Sequence, residues 1–176
     1  MACRSYTMGG ISLGCKDSIG GIKKAWFAPF DDNQYVSLSS DTVVIASGGT
    51  AAFKPYNFRK ATGSMTSTLN TSETAGNSFT TEVVLQFLKQ ETSKRLEVMA
   101  LLMNEMSGVV KDGNGKYWYL GYDYPLEATA GTAETGTAMT DLNGYNITIT
   151  DNSIELPYEI TDTDTINRLE ALEVAG

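Results

Sequence analysis

The stretch SFTTEVVLQFLKQETSKRLEVMALLMNEMSGVVKDGNGKYWYLG, Ser78 to Gly121, leaves this chain few architectures. From Ser78 to Leu88 the residues alternate. Phe79, Thr81, Val83, Leu85 and Phe87 fall on one side, and Thr80, Glu82, Val84 and Gln86 on the other. A period of two predicts a strand with one face in a core and one polar face. A helix follows, with Thr92 or Ser93 as its N-cap. Leu96, Met99, Met103 and Met106, at spacings of three, four and three, fall on one helical face. Val98, Ala100, Leu101 and Leu102 make its middle apolar nearly all round, so it needs cover on most sides. One sheet covers one side and leaves the rest for something else, a neighbouring subunit among the choices. Gly108 is the expected helix exit. Two short strands, 109–111 and 116–120, then flank Asp112-Gly113-Asn114-Gly115, a turn sequence that accepts the positive φ of a tight hairpin.

Around this strand–helix–hairpin unit the chain reads as mainly β. Residues 1–21 carry Gly9, Gly10, Gly14, Gly20 and Gly21 and predict an arm with no packed core of its own. Short strands are expected at 23–30 (KKAWFAPF) and 42–46 (TVVIA), the latter closed by Gly48-Gly49. Pro55 makes 51–60 (AAFKPYNFRK) an edge, bulge or break. In 64–70 (SMTSTLN), Met65 and Leu69 share one face, and Ser64, Thr66, Thr68 and Asn70 the other. This strand can pair antiparallel with the one beginning at Ser78, through a polar loop of Thr71, Ser72, Glu73, Thr74, Ala75, Gly76 and Asn77. The segment 124–130 leads to a loop holding Gly131 and Gly136. Next comes a strand within 141–150 (DLNGYNITIT), then a further strand in 154–160 and a short helix in 164–174 with Ile166, Leu169, Leu172 and Val174 on a face. The expected fold is one domain over 22–176, a β-sandwich or barrel of eight to ten strands with a flanking helix, preceded by a flexible arm.

The 176 residues suffice for a real core, and a hydrophobic share of 41% against 19% charged residues favours a folded chain. No apolar run is long enough to span a bilayer, and the first residues lack the apolar segment of a signal peptide, so cytoplasmic synthesis is expected. Cys3 and Cys15 both lie in the glycine-rich arm and read as free thiols. The net charge of −8 is split: residues 1–121 hold 10 acidic and 12 basic residues, whereas 122–176 hold 11 acidic residues and one basic residue, Arg168. Such a chain does not attract nucleic acid through its net field.

The search for chemistry eliminates more than it finds. With no histidine, Ser-His-Asp and Cys-His sites are excluded and metal binding is not expected. Asp31/Asp32, Asp162/Asp164 and Glu170/Glu173 are carboxylate pairs by proximity only, in turns or polar termini where solvated charge is the default. No P-loop or GxGxxG lies between a strand and a helix. DGNG lacks the later ligands and terminal Glu of a calcium loop and reads as a hairpin turn. Tyr117, Trp118, Tyr119, Tyr122 and Tyr124 could stack sugars or bases. In a strand, however, Tyr117 and Tyr119 take one face and Trp118 the other, which favours packing. No catalytic residue and no cofactor follow.

Taken together, the long polar-faced hairpin from Arg59 to Leu88, the single helix over 92–104, the DGNGKYWYLG hairpin and the segment EATAGTAETGTAMTDLNGYNITIT resemble a bacteriophage major tail tube protein. A glycine-bearing N-terminal arm fits as well. The likeness covers most of 22–150 and leaves 151–176 outside it. It implies a structural virion protein whose subunits form hexameric rings stacked head to tail, each ring adding to a β-barrel through which double-stranded DNA passes. The expected partners are other copies of the chain and other tail proteins, with no membrane. The expected location is the virion tail, assembled in the host cytoplasm. On this reading Ser64, Thr66, Thr68, Asn70, Thr80, Glu82 and Gln86 line the lumen. A helix face of Leu96, Met99, Leu102, Met103 and Met106 meets a neighbouring subunit, and the loop from Thr71 to Asn77 reaches the next ring. A conduit gains from walls without Lys or Arg, which would hold phosphates through counterion release. If the basic and acidic regions lie at opposite ends of the subunit, charge can orient stacking. Other classes stay open: a carbohydrate-binding or adhesive sandwich using Tyr117, Trp118, Tyr122 and Tyr124, a tail terminator, or a head decoration protein.

Overall fold

The computed structural model describes residues 8–14, 18–30, 35–59, 61–74 and 76–172. Its elements are β1 (Ile22–Pro29), β2 (Val36–Ser39), β3 (Thr42–Ile45), α1 (Ser47–Thr50), β4 (Lys54–Asn57), β5 (Gly63–Asn70), β6 (Ser78–Leu88), α2 (Thr92–Met103), β7 (Met106–Asp112), β8 (Tyr117–Leu120), β9 (Glu127–Glu134), β10 (Gly144–Ser153), β11 (Tyr158–Ile160) and α3 (Thr163–Glu170). The chain is mainly β. The strands form two sheets, a seven-stranded one in the order β2-β3-β11-β8-β7-β1-β4 and a four-stranded one in the order β5-β6-β10-β9.

The alternation in β1 explains how both faces of the larger sheet are covered. Ala25 and Phe27 point to a core shared with Val83, Leu85, Tyr145, Ile147 and Ile149 of the smaller sheet. Trp26 and Ala28 point to the opposite face, into a second core with Val43, Ile45, Tyr119, Ile160 and Leu169. α3 closes that second core. Its N-cap is Asp162, whose carboxylate accepts from the Thr165 amide at 2.8 Å. The Trp26 indole N–H donates to the Leu169 carbonyl at 3.0 Å, so a large buried ring keeps its polar atom satisfied. Glu170 at the end of α3 accepts from Lys111 Nζ at 2.6 Å and from the Tyr117 hydroxyl at 2.7 Å.

The smaller sheet is pinned by its central pair. β10 runs antiparallel to β6 from Gly144 opposite Leu88 to Ser153 opposite Phe79. Gly144 is required there, because a Cβ would stand 2.0 Å from the Phe87 carbonyl oxygen. The larger sheet crosses the smaller one. Near Leu88, Phe87 meets Tyr56 and Phe58, whereas near Ser78, Phe79 lines one groove with Trp118 and Tyr158. Travelling down β6 therefore passes from β8 and β11 to β4.

Several expectations are corrected. Among the described residues there are eleven strands in place of eight to ten, the single-turn α1 joins the flanking helix and the expected terminal one, and the two sheets do not close into a barrel. α2 ends at Met103, and its C-cap Asn104 is extended. Met106 therefore does not extend the helical face. It opens β7 and is 3% exposed, in the core. Gly108 lies inside β7 instead of ending the helix; a Cβ there would meet Phe27 and Leu126 at 2.9 Å, so its role is close packing. The N-cap of α2 is Glu91, with no side-chain cap bond, in place of Thr92 or Ser93. Gly48 and Gly49 belong to the single turn of α1. Gly131 lies in β9, where a Cβ would stand 2.8 Å from Leu102 Cδ2, and not in a loop. The basic and acidic halves of the sequence do not occupy opposite ends, since β10 pairs with β6 and β11 sits between β3 and β8. Cys3, Cys15 and Val174 lie outside the described residues.

Candidate functional site: a polar sheet face with open edges

Register decides which side chains of the smaller sheet share a face. β5 pairs with β6 so that Ser64 faces Val84, Thr66 faces Glu82, Thr68 faces Thr80 and Asn70 faces Ser78. With Gln86 two residues beyond Val84, the seven expected lumen residues Ser64, Thr66, Thr68, Asn70, Thr80, Glu82 and Gln86 stand on one face, opposite the buried Val83 and Leu85. That face continues across residues that sequence reasoning left unassigned. Asn146, Thr148, Thr150 and Asn152 of β10 stand beside Gln86, Val84, Glu82 and Thr80. The alternation of Asn146, Thr148 and Thr150 is visible in the sequence, but only the β6–β10 pairing joins it to the hairpin. On β9, Thr132 lies opposite Asn146. Thr129, at a register shift, joins its hydroxyl to that of Thr150 at 2.8 Å.

Hydrogen bonds tie the face laterally. Asn70 Nδ2 donates to Thr80 Oγ1 at 2.7 Å, and Thr80 Oγ1 donates to Asn152 Oδ1 at 2.9 Å. These chains hold short polar side chains down on the sheet. None of the four strands contains a Lys or Arg. Their charged residues are Glu82, Glu127, Glu134 and Asp151, and Asp151 points inward.

The edges of the two sheets differ in kind. The outer strands of the larger sheet, β2 and β4, have four residues each, and β4 carries Lys54 and Pro55. Short strands, lysine and proline are the usual defences of a sheet edge. The outer strands of the smaller sheet, β5 and β9, have eight residues each and contain neither Lys nor Pro. Each presents a row of backbone groups that no described strand pairs. β5 and β9 also run in opposite directions, because three antiparallel pairings separate them.

The expected inter-subunit helix face divides. Val98 and Leu101 are buried in the shared core, and Leu102 packs against it. Leu96, Met99 and Met103 remain exposed. Arg95, Met99 and Leu102 border a groove of about 290 Å³ floored by Gly131, Tyr145 and Ile147. The 71–77 loop is exposed at its described residues, and Ala75 lies outside them. In the arm, Met8, Ile11 and Leu13 are fully exposed. Its root is fixed to the body: the Ile19 amide donates to Asn114 Oδ1 at 2.7 Å, and the Gly113 amide donates to the Gly21 carbonyl at 2.8 Å.

The chemical candidates resolve as structure. Asp112 Oδ1 accepts from the amides of Asn114 and Lys116 at 2.8 and 2.9 Å, so DGNG spends its carboxylate on a turn. Asp162 caps α3, Glu170 binds Lys111 and Tyr117, and Asp31, Asp32 and Glu173 lie outside the described residues. Among the described residues no three His, Cys, Asp or Glu side chains gather as a metal site. Tyr117 and Tyr119 are buried, and Tyr122 sits edge-on between Tyr119 and Tyr158, so the aromatic run forms no single stacking platform. Among the described residues Asp151 is the carboxyl group whose pKa is raised. Burial, opposed by the bond from the Gly121 amide and reinforced by the negative charge of Asp123, raises its pKa to about 6, and its Oδ1 has no partner. Comparison with protein-family models, with curated proteins and with solved structures returned no match.

Proposed function

We propose that this chain is a structural subunit that closes side by side into rings and stacks into a tube, in the manner of a bacteriophage major tail tube protein, with the face of β5, β6, β10 and β9 lining the bore. One observation carries the reading: the smaller sheet has two eight-residue edges of opposite direction, free of Lys and Pro, and its open face lacks any Lys or Arg. Repeating the subunit around an axis along its strands brings β5 of one copy beside β9 of the next in antiparallel sense, which satisfies both edges at once. Six copies, the number the resemblance implies, would make a barrel of about 24 strands, roughly 50 Å across between backbones at ordinary strand spacing and tilt. Such a lumen has room for a duplex after two layers of side chains. Its hydroxyls, amides and scattered carboxylates would let phosphates slide past, with no fixed cation on the wall to displace their counterions and hold them.

Electron microscopy of the purified chain tests this. Hollow tubes of stacked rings, with Thr66, Thr80 and Gln86 on the inner wall of a density map, are the expected result. A chain that stays monomeric at high concentration, or tubes that carry these residues outside, would remove the reading.

A further inference from the structure

The two ends of the smaller sheet carry complementary features. At the Leu88 end, the β9–β10 loop is a rigid knob. The Asp141 carboxylate accepts from the amides of Thr137 and Ala138 at 2.9 and 2.8 Å, and the Asp141 amide donates back to the Ala138 carbonyl at 3.1 Å. Met139 stands at the tip of this closed turn at 106% relative exposure, an apolar side chain held fully in water by a preorganised loop. The loop is anchored to the body through the Lys89 and Gln90 amides, which donate to the carbonyl and side chain of Asn143. At the Ser78 end lies an apolar groove of about 410 Å³ bordered by Phe79, Trp118, Ile154, Leu156 and Pro157, with Ile154 and Leu156 55% and 53% exposed.

The two ends also differ in charge. Asp41, Glu155 and Glu159 rim the groove, and Glu159 is paired to Lys116 at 2.7 Å. At the knob end Lys89, Lys94 and Arg95 are balanced by Glu91, which binds both lysines, and by Glu134 and Asp141, so that end is near neutral. Knob and groove lie at opposite ends of β10, roughly 30 Å apart along an extended strand. Met139 therefore cannot enter its own groove, but a copy translated along the strand direction can place it in the next one. Contacts of this kind do not close on themselves and build an open stack.

We infer that the Met139 knob of one copy seats in the Phe79–Trp118–Ile154–Leu156 groove of the next copy, fixing the polarity of stacking. This rests on the proposed tube and specifies its axial joint. The anchor is an apolar side chain entering an apolar pocket, and the acidic rim of the groove meets a near-neutral knob in this orientation but a second acidic rim in the groove-to-groove one.

The test uses the full chain. M139E and I154K alter exposed side chains, and unchanged circular dichroism and melting would show that the fold survives. Each should raise the protein concentration needed for tubes at least about tenfold, while the M139E/I154K pair should recover much of the loss, which damage to separate sites would not do. In a chain with C3A and C15A, the pair M139C and I154C should give a ladder of oxidised oligomers on denaturing gels, and either cysteine alone should not. Wild-type tubes combined with unimpaired M139E assembly and no ladder would overturn this joint while leaving the tube intact. A wild-type chain that forms no oligomer would overturn both. Seating of a different protein in the groove, with Met139 free in the tube, would also overturn the joint.

Discussion

Replacing Asp151 by Asn should change how stability depends on pH. The carboxyl group is 3% exposed on β10, accepts one bond from the Gly121 amide at 3.2 Å, and leaves Oδ1 unpartnered. Burial lifts its pKa from 3.8 to about 6. Between those two values the unfolded chain has released the proton and the native chain still holds it. Native stability therefore falls as pH rises through this window and stays reduced above it. A shift of this size corresponds to about 3 kcal/mol at most. Asn keeps an oxygen for the Gly121 amide and removes the charge, although its amide group occupies the place where Oδ1 has no partner, at a cost of about 1–3 kcal/mol. Urea unfolding of both proteins from pH 4.5 to 7.5, at concentrations below assembly, is the assay. The difference between the two curves cancels the opposite trend of Glu170 and Asp162, whose carboxyls are held below their usual values. D151N should gain on the wild type as pH rises, by up to about 2 kcal/mol over this range. A difference that stays flat would refute the assigned burial of the charge.

Other outcomes follow from single contacts. G144A should destabilise by about 3 kcal/mol or more, or prevent folding, because its Cβ meets the Phe87 carbonyl at 2.0 Å; calorimetry checks this. W26F should cost about 2–3 kcal/mol in chemical unfolding, through the lost ring volume and the lost indole bond to the Leu169 carbonyl, which keeps the Leu172 amide. E170Q should cost about 1 kcal/mol near neutral pH, and its deficit should shrink as pH falls through the lowered pKa of Glu170, since the wild type loses the same bridge to Lys111 there. T66K/T80K/Q86K tubes should bind double-stranded DNA in a salt-dependent way that wild-type tubes do not, read by co-sedimentation at 50 and 200 mM salt.

The two faces of the β5–β6 hairpin were legible because period-two alternation and a polar loop fix register together, as Thr66 opposite Glu82 and Met65 opposite Val83 bear out. α3 was legible for a similar reason: Ile166 and Leu169 mark a face, and Leu169 is fully buried. Met106 was not, since its spacing from Met103 continues the helical pattern and nothing between them breaks it. β9 was hidden too. Its run of Ala, Gly and Thr has little strand character of its own, and it is a strand because β10 lies beside it. The edges of the smaller sheet were beyond local reading altogether, since which strand lies outermost depends on pairings between segments far apart in sequence.

The place of β10 also orders events during synthesis. β6 is complete at Leu88, yet the strand that covers its second side begins only at Gly144. A chain still emerging from the ribosome thus carries a finished hairpin with a bare flank, open to the same hairpin on a neighbouring polysome. Arrival of β10 ends that exposure and transfers the bare flank to β9. Of the two strand edges that would meet in the ring, the β9 one comes into being only when the subunit is nearly whole.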